Sequence, residues 1–434
     1  MPCTGPWPEP RWLLTTSSMR PDEGRVDSVP LGGMLVGDAV DAVDAVEAVA
    51  VVEAVDLDGL SQYPGEMDLL SPLTLRCGLT LKNRLALAPL TNGQSADDGA
   101  LLPEEVRWLL RRARGGFGLV ETCAAFVSWQ GKAFDGQLSL AAMDDDDDRD
   151  RQRAALTALA TAIADAGAGG IVQLVHGGAR SPTRLTGLQP VGPSVFHEDS
   201  PSFEVPRALS GGEVEAVAAS FVDAAVRAQQ AGFAGVELHA AHGYLLGQFL
   251  SRTLNTRDDQ WGGSFDNRVR LLTHIARGVR AACGDDFAVG VRLSPEDRGF
   301  AKGLDIDESV ETACRLQDDV DFVHISLWDA SKNSVKHPAQ HPARLFRHAL
   351  PADVAVVAAG GIWTHADASA LVERGADIVS VGRAAIVDPD WPTHVILQGK
   401  APIRGPRTAE ELQAVDVSKG FVQYLQRFPG LVTA

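Results

Sequence analysis

The sequence predicts an α/β chain folded as a (β/α)8 TIM barrel, and three observations carry that expectation. From Met67 onward, short β-branched runs alternate with longer Ala-rich amphipathic segments, the pattern of strands joined by helices around a parallel sheet. Eight such runs can be counted, and eight strands close a barrel. The turn after the first run, LALAPLTNGQ, lacks the GxGxxG that a doubly wound open sheet would place there.

The candidate strands in order are LALAP (85–89), GLVETCAAF (118–126), GIVQLVH (170–176), GVELHA (235–240), AVGVRLS (288–294), FVHISL (322–327), VAVVAAGG (354–361) and IVSVGRA (378–384). Helical connectors are expected at 149–166, 212–231, 266–282, 307–318 and 365–374, each ahead of the next strand. Two run into glycine, in QQAGFAGVEL and VERGADIVSV, where a left-handed cap returns the chain to the sheet. The run Asp144–Asp148 precedes a helix, whose N-terminus favours acids, and it is assigned no site.

Residues 1–66 read differently. A Pro-rich stretch passes into GDAVDAVDAVEAVAVVEAVDLDG, whose acids Asp38, Asp41, Asp44 and Glu47 recur every three residues. On an α-helix that spacing drifts by roughly 60° per step, so no apolar face persists. The segment is expected to be a disordered low-complexity extension, with Met67 an alternative start for a barrel domain of 67–434 that ends in a C-terminal tail.

The 39 Lys+Arg against 57 Asp+Glu give a formal charge of −18, which disfavours nucleic acid and anionic membranes as partners. Small molecules, or further copies of the chain in a homo-oligomer, are expected instead. Cys3, Cys77, Cys123, Cys283 and Cys314 lie far apart, without a CxxC pair or metal-ligand spacing. No disulfide framework, zinc or iron–sulfur site is therefore expected, and a reducing cytoplasm is the expected location. No apolar run approaches the roughly 18 residues that span a bilayer, and the N-terminus lacks a signal-peptide pattern.

A barrel carries function at the carboxyl ends of its strands. There stand Pro89, Leu90 and Thr91 on the first strand, Glu121 and Thr122 on the second, Gln173 and His176 on the third, and Glu237 and His239 on the fourth. Arg292 follows on the fifth, Ser326 on the sixth, Gly360-Gly361 on the seventh and Gly382-Arg383 on the eighth. Backbone N–H groups in glycine loops after the last two strands make a phosphate cradle, to which Arg383 adds a cation. Tight turns alone would also explain those glycines.

Gln173 and Arg292 face the barrel centre, where an amide and a guanidinium suit a planar ring bearing carbonyl and nitrogen groups. An isoalloxazine is such a ring, and a cation at its N1–C2=O edge would stabilise the charge gathered there on reduction. A structural carboxylate is the other partner that a central arginine commonly takes. Phosphate loop, glutamine and arginine together point to flavin mononucleotide (FMN).

His239, His242 and Tyr244 follow the fourth strand in LHAAHGYLLGQFLS. Donors three residues apart converge on one acceptor if the strand gives way to a helical turn there, so the pair would hold a carbonyl or nitro oxygen. Tyr244 is then placed to deliver a proton to carbon. A metal would want further ligands, and Glu237 and His176, the nearest candidates, do not complete a coordination sphere, so none is assigned. A structural role for both histidines is the blander reading.

These residues resemble the Old Yellow Enzyme group of NADH:flavin oxidoreductases over roughly residues 67–400. The most specific stretch is GFAGVELHAAHGYLLGQFLSRTLNTRDDQWGGSFDNRVRLL (232–272), supported by LTLKNRLALAPLT, GGFGLVET, IVQLVHGGAR and the glycine loops. The resemblance implies FMN as cofactor, NADH or NADPH as hydride donor and an electrophilic alkene as acceptor. It implies that Pro89 and Thr91 meet the flavin around C4=O and N5, Gln173 its pyrimidine edge, Arg292 its N1/O2, and Gly360, Gly361, Gly382 and Arg383 its phosphate. His239 and His242 match the substrate anchors and Tyr244 the proton donor. A branch of the family has cysteine at the position of Thr91 and tyrosine at that of Gly93, so pocket shape should differ from that branch. That branch also takes an arginine from a neighbouring subunit near the C-terminus, a position to which Arg427 in QYLQRF is similar.

The reaction so implied has two halves: NAD(P)H gives hydride to the flavin, then an α,β-unsaturated carbonyl or nitro compound takes hydride at Cβ and a proton at Cα. Another phosphate-binding barrel enzyme, or a sensor that holds FMN without turnover, are the competing readings. An aldolase would need a Schiff-base lysine, and no motif singles out Lys302 or Lys332.

Overall fold

The computed structural model describes residues 68–433. The expected extension at 1–66, and Met67, lie outside the described residues. Eight parallel strands form the barrel: β1 (Leu85–Leu87), β2 (Leu119–Glu121), β3 (Gly169–Val175), β4 (Gly235–Ala240), β5 (Ala288–Leu293), β6 (Phe322–Ser326), β7 (Ala355–Ala359) and β8 (Ile378–Val381). Each pairs with its sequence neighbours, and β8 pairs with β1 to close the cylinder. The register places Arg292 beside His239 and His324, and Gln173 beside Glu237. Strand order thus assembles side chains from β3 to β6 around one axis.

Besides short helices at Thr183–Thr186, Leu245–Leu250 and Arg383–Val387, the α-helices are α1 (Pro103–Arg114), α2 (Asp146–Asp165), α3 (Gly211–Gln230), α4 (Phe265–Cys283), α5 (Ile306–Leu316), α6 (Pro342–Ala349) and α7 (His365–Glu373), followed by α8 (Ala409–Gln413) and α9 (Lys419–Leu425). Five coincide with the connectors expected from the sequence to within a few residues. Their ends follow local chemistry: Ser210 with Glu213 and Thr364 with Asp367 form capping boxes, and Gly232 and Gly375 take positive φ after α3 and α7. Asp145 caps α2 and Asp146, Asp147 and Asp148 occupy its first turn, as expected. Helices α1 and α6 were not anticipated. Both start with proline at the first turn, which fits that position but reads as a break in a pattern search.

The second strand is shorter than the run 118–126 suggested. Pairing with β3 stops at Glu121 and resumes at Ala125–Phe126, because between Glu121 and Ala125 this strand carries one residue more than β3 does between Ile171 and Leu174, a bulge.

At the amino end of the barrel, Leu75 and Leu81 from a hairpin (Leu73–Thr74 with Thr80–Leu81) cluster with Ala86, Leu119, Ile171, Ala288, Phe322 and Val357. This apolar plug seals one end. Polar groups on the strands are therefore confined to the middle and the open carboxyl end, where the site lies.

Candidate active site

A cavity of 650 Å³ opens at the carboxyl end, lined among others by Leu90, His242, Arg292, Ser326, Gly360, Gly361, Gly382 and Arg383. Residues expected from six separate strand ends therefore meet in one space. At its far end Gly361 has φ +71°, and a Cβ at Gly360 would lie 2.7 Å from the Leu327 carbonyl oxygen, so both positions require glycine. The Arg383 guanidinium lies 3.7 Å from where a Gly361 Cβ would be. Bare backbone beside a cation is what a phosphate group needs.

Arg292 is buried, donating from Nη1 to the Pro89 carbonyl at 3.4 Å and from Nη2 to Ser326 Oγ at 3.2 Å. Among the described residues its Nε has no partner, a costly state for a buried donor unless a ligand accepts from it. Gln173 donates from Nε2 to Glu237 Oε1 at 2.6 Å, and His324 Nδ1 lies 2.7 Å from Glu237 Oε2. The glutamine's amide group is thereby oriented, with its carbonyl oxygen left to accept. Burial opposes ionisation of Glu237, but His324, Arg292 and Gln173 hold it below the usual carboxylate range.

Glu121 does not line the cavity. It lies inside the barrel against Glu237, 3.6 Å from His324 Nδ1, with neither carboxyl oxygen hydrogen-bonded. Burial, reinforced by the Glu237 charge, pushes its pKa well above the usual range, so it is a neutral acid. Its link to the cavity is electrostatic, through Arg292. The ligand atoms of Glu121, Glu237 and His324 lie within 4.8 Å of one another. Both Glu237 oxygens are already committed to Gln173 and His324, which leaves a poor metal donor set.

Strand β4 ends at Ala240, and His242 follows with φ +58°, in the left-handed region rather than the helical turn expected. That conformation, sparsely populated outside glycine, swings the ring back, so that the His239 and His242 ring centres are 5.0 Å apart and those of His239 and Tyr244 4.9 Å. The three residues converge as expected, by a different turn. His239 Nδ1 accepts from the Ala241 N–H at 3.3 Å, which leaves Nε2–H as its donor. Burial, with neighbouring cations, holds both imidazoles well below their ordinary pKa, so both are neutral.

Two contributors, Arg180 and Tyr424, were not singled out from the sequence, and Ser326 was named only as the polar residue that ends the sixth strand. Arg180 donates to the His242 carbonyl at 2.6 Å and stacks between the rings of Phe300, at 3.9 Å, and Tyr244, at 4.8 Å. Its place directly after β3, at a strand end, was the available signal. Ser326 bridges His242 and Arg292. Tyr424 stands on α9, where burial raises the pKa of its phenol and Tyr244, Thr91 and Arg180 are near enough to perturb it, and nothing local in the sequence marks it. Arg427 lies over the ring of Tyr424 in its own chain, 5.7 Å from the centroid.

A closed barrel with a glycine–arginine phosphate cradle, a buried guanidinium and two neutral imidazoles beside a phenol defines a flavin-dependent oxidoreductase. Residues 68–400 match the NADH:flavin oxidoreductase / NADH oxidase family, and the chain belongs to that family, the Old Yellow Enzymes. It is 36% identical over 340 residues to the probable NADH-dependent flavin oxidoreductase YqiG of Bacillus subtilis, covering 76% of this chain and 88% of that protein. It is 32% identical to the NADPH dehydrogenase of Bacillus pumilus, covering 79% and 98% respectively. Among solved structures, the old yellow enzyme homologue from Zymomonas mobilis superposes with a TM-score of 0.68 at 29% identity, over 80% of this chain and 96% of that one. Other relatives are much longer: the chain spans 36% of the NADH:fumarate oxidoreductase of Klebsiella pneumoniae. The cofactor is FMN and the hydride donor NADH or NADPH.

Proposed function

We propose that the enzyme reduces the activated C=C bond of α,β-unsaturated carbonyl or nitro compounds. The observation that carries this reading is the convergence of His239 and Tyr244 on one another and of His239 on His242, which lines the cavity with Arg292 and the glycine loops. When bound, FMN accepts hydride from NAD(P)H and passes it to an acceptor carbon.

The protein's own part begins with binding. Gly360, Gly361, Gly382 and Arg383 would hold the phosphate, Gln173 and Arg292 the ring edge, and Pro89, Leu90 and Thr91 the adjoining edge; Glu121 would contribute only its lack of charge. His239 and His242 donate to the acceptor's activating oxygen. Negative charge grows on that oxygen as hydride reaches Cβ, so donors fixed in advance stabilise the transition state more than the ground state. Their neutrality matters, because a neutral imidazole donates without taking a second proton. Tyr244, next to His239, supplies the proton to Cα.

The described cysteines, Cys77, Cys123, Cys283 and Cys314, are all unpaired, which supports a place in the reducing cytoplasm, and no helix of the described residues is long and apolar enough to cross a membrane. Tyr244→Phe separates the reading from its rivals: the oxidative half-reaction should slow while reduction by NAD(P)H continues. Equal slowing of both halves would refute the role given to Tyr244.

A further inference from the structure

Six charged side chains line the cavity, four cations (Arg292, Arg298, Lys332 and Arg383) and two carboxylates (Glu296 and Asp329). That balance runs against the chain as a whole, whose formal charge is −18. Both carboxylates are held by neutral donors. Glu296 accepts from Ser334 Oγ at 2.6 Å and from the Val335 N–H at 3.1 Å. Asp329 accepts from Ser331 Oγ at 2.7 Å and from the Ser331 N–H at 2.9 Å, and these bonds, with a smaller part from the Lys332 charge, hold it below the usual carboxylate range. Among the described residues the side chains of Arg298 and Lys332 form no hydrogen bond or ion pair. With Arg292 and Arg383 assigned to FMN, these two make a second pair of cations, on the loops after β5 and β6.

The loops are braced. Glu296 ties the first to the second through Ser334 and Val335. The second is pinned to β7, where the Leu327 N–H donates to the Ala359 carbonyl at 2.8 Å and the Ala330 N–H to the Gly360 carbonyl at 2.9 Å. Arg374 donates to the Ala330 carbonyl, and His341 Nε2 lies 3.1 Å from the same oxygen. Between these fixed points the Trp328 side chain is 67% exposed, and Phe300 on the loop after β5 is 55% exposed. An indole held in water on a fixed backbone at a cavity wall offers its face to another flat ring.

The hydride donor is a dinucleotide, and only its nicotinamide has to meet the flavin. Its adenosine half carries a base and phosphates that must rest outside the ring stack. An exposed indole takes the face of a base, and a guanidinium and an ammonium take phosphate oxygens. We propose that the loops after β5 and β6 seat the adenosine diphosphate half of NADH or NADPH, with Trp328 stacked on the adenine and Arg298 and Lys332 paired to phosphate. The proposal rests on the hydride donor and is independent of which acceptor the enzyme reduces.

Anaerobic stopped-flow reduction of the FMN-loaded enzyme tests it in Trp328→Ala, Trp328→Phe and Arg298→Ala/Lys332→Ala. The apparent Kd for NADH and NADPH should rise about tenfold in Trp328→Ala, the worth of one stacked base, and about tenfold in the double variant. The limiting rate should change by less than about twofold, as expected when only binding is lost. Trp328→Phe, which keeps a ring, should retain most of the affinity. Reduced nicotinamide mononucleotide lacks the adenosine half, and its Kd should agree between parent and variants to within about twofold. ADP alone should compete with the donor in the parent and about tenfold less well in Trp328→Ala and the double variant. Unchanged affinity for NADH and NADPH, or an equal loss for the mononucleotide, overturns the proposal. So does a loss confined to free coenzyme A, another carrier of adenosine diphosphate, while donor affinity stays intact.

Discussion

Ser326 Oγ lies 2.7 Å from His242 Nε2 and also accepts from Arg292 Nη2. A guanidinium only donates, so the serine hydrogen is free to turn toward the imidazole, and His242 then carries its own hydrogen on Nδ1. The serine thus selects the tautomer that can donate to a bound oxygen. Ser326→Ala should weaken 4-hydroxybenzaldehyde binding about tenfold, the effect of one charge-assisted hydrogen bond lost. Titration of the bound flavin spectrum reads it, and unchanged affinity would show that the tautomer is set elsewhere.

Replacing the proton donor should separate the half-reactions. In Tyr244→Phe, stopped-flow reoxidation by an enone should slow by about 10²–10⁴-fold while reduction by NAD(P)H stays within a factor of two or so.

The phosphate cradle should show in cofactor affinity. Arg383→Ala removes a cation that is salt-bridged to no carboxylate among the described residues, and FMN should bind about 10- to 100-fold more weakly, as for a charged hydrogen bond. Gly361→Val should do at least as much, since φ +71° is strained for a branched side chain. Fluorescence of released FMN measures both.

The buried carboxylates should respond oppositely to removal of charge. Glu121 is already neutral, so Glu121→Gln should change stability by no more than about 1 kcal/mol. Glu237→Ala strands Gln173, His324 and Arg292, and a cost of about 3–5 kcal/mol is expected in urea unfolding.

Acid should destabilise the fold through buried histidine. Burial lowers the His176 pKa to about 4 from 6.5, so the unfolded chain binds a proton there that the native state refuses. Above pH 6.5 this group contributes no pH dependence. Between 6.5 and 4 stability should fall by about 1.4 kcal/mol per pH unit from His176 alone, and His176→Asn should flatten that slope. His239 and His242 are likewise held neutral, so ligand anchoring should not change between pH 6.5 and 8 through their titration.

The barrel was legible because helix–glycine–strand punctuation is local, and so were the strand-end residues, since alternation fixes which side chains face the axis. The fine geometry was not. Whether His242 enters a helical or a left-handed turn depends on Ser294, whose hydroxyl accepts from its N–H at 3.0 Å, and on the approach of Phe300 to Gly243. Glu121 looked like a cofactor contact because it ends a strand, yet its strand stops early and leaves it beneath Arg292. Tyr424 could not be read at all: the helix that carries it is placed by packing between Trp108 and Phe421, residues more than three hundred positions apart.

The central claim is that the histidine pair and Tyr244 turn this flavoenzyme toward activated alkenes. Mixing the NADPH-reduced enzyme anaerobically with 2-cyclohexenone tests it most directly. The account predicts return of the oxidised flavin spectrum with stoichiometric cyclohexanone, and loss of that return in His239→Ala/His242→Ala. A reduced enzyme that oxygen reoxidises but the enone does not would contradict it.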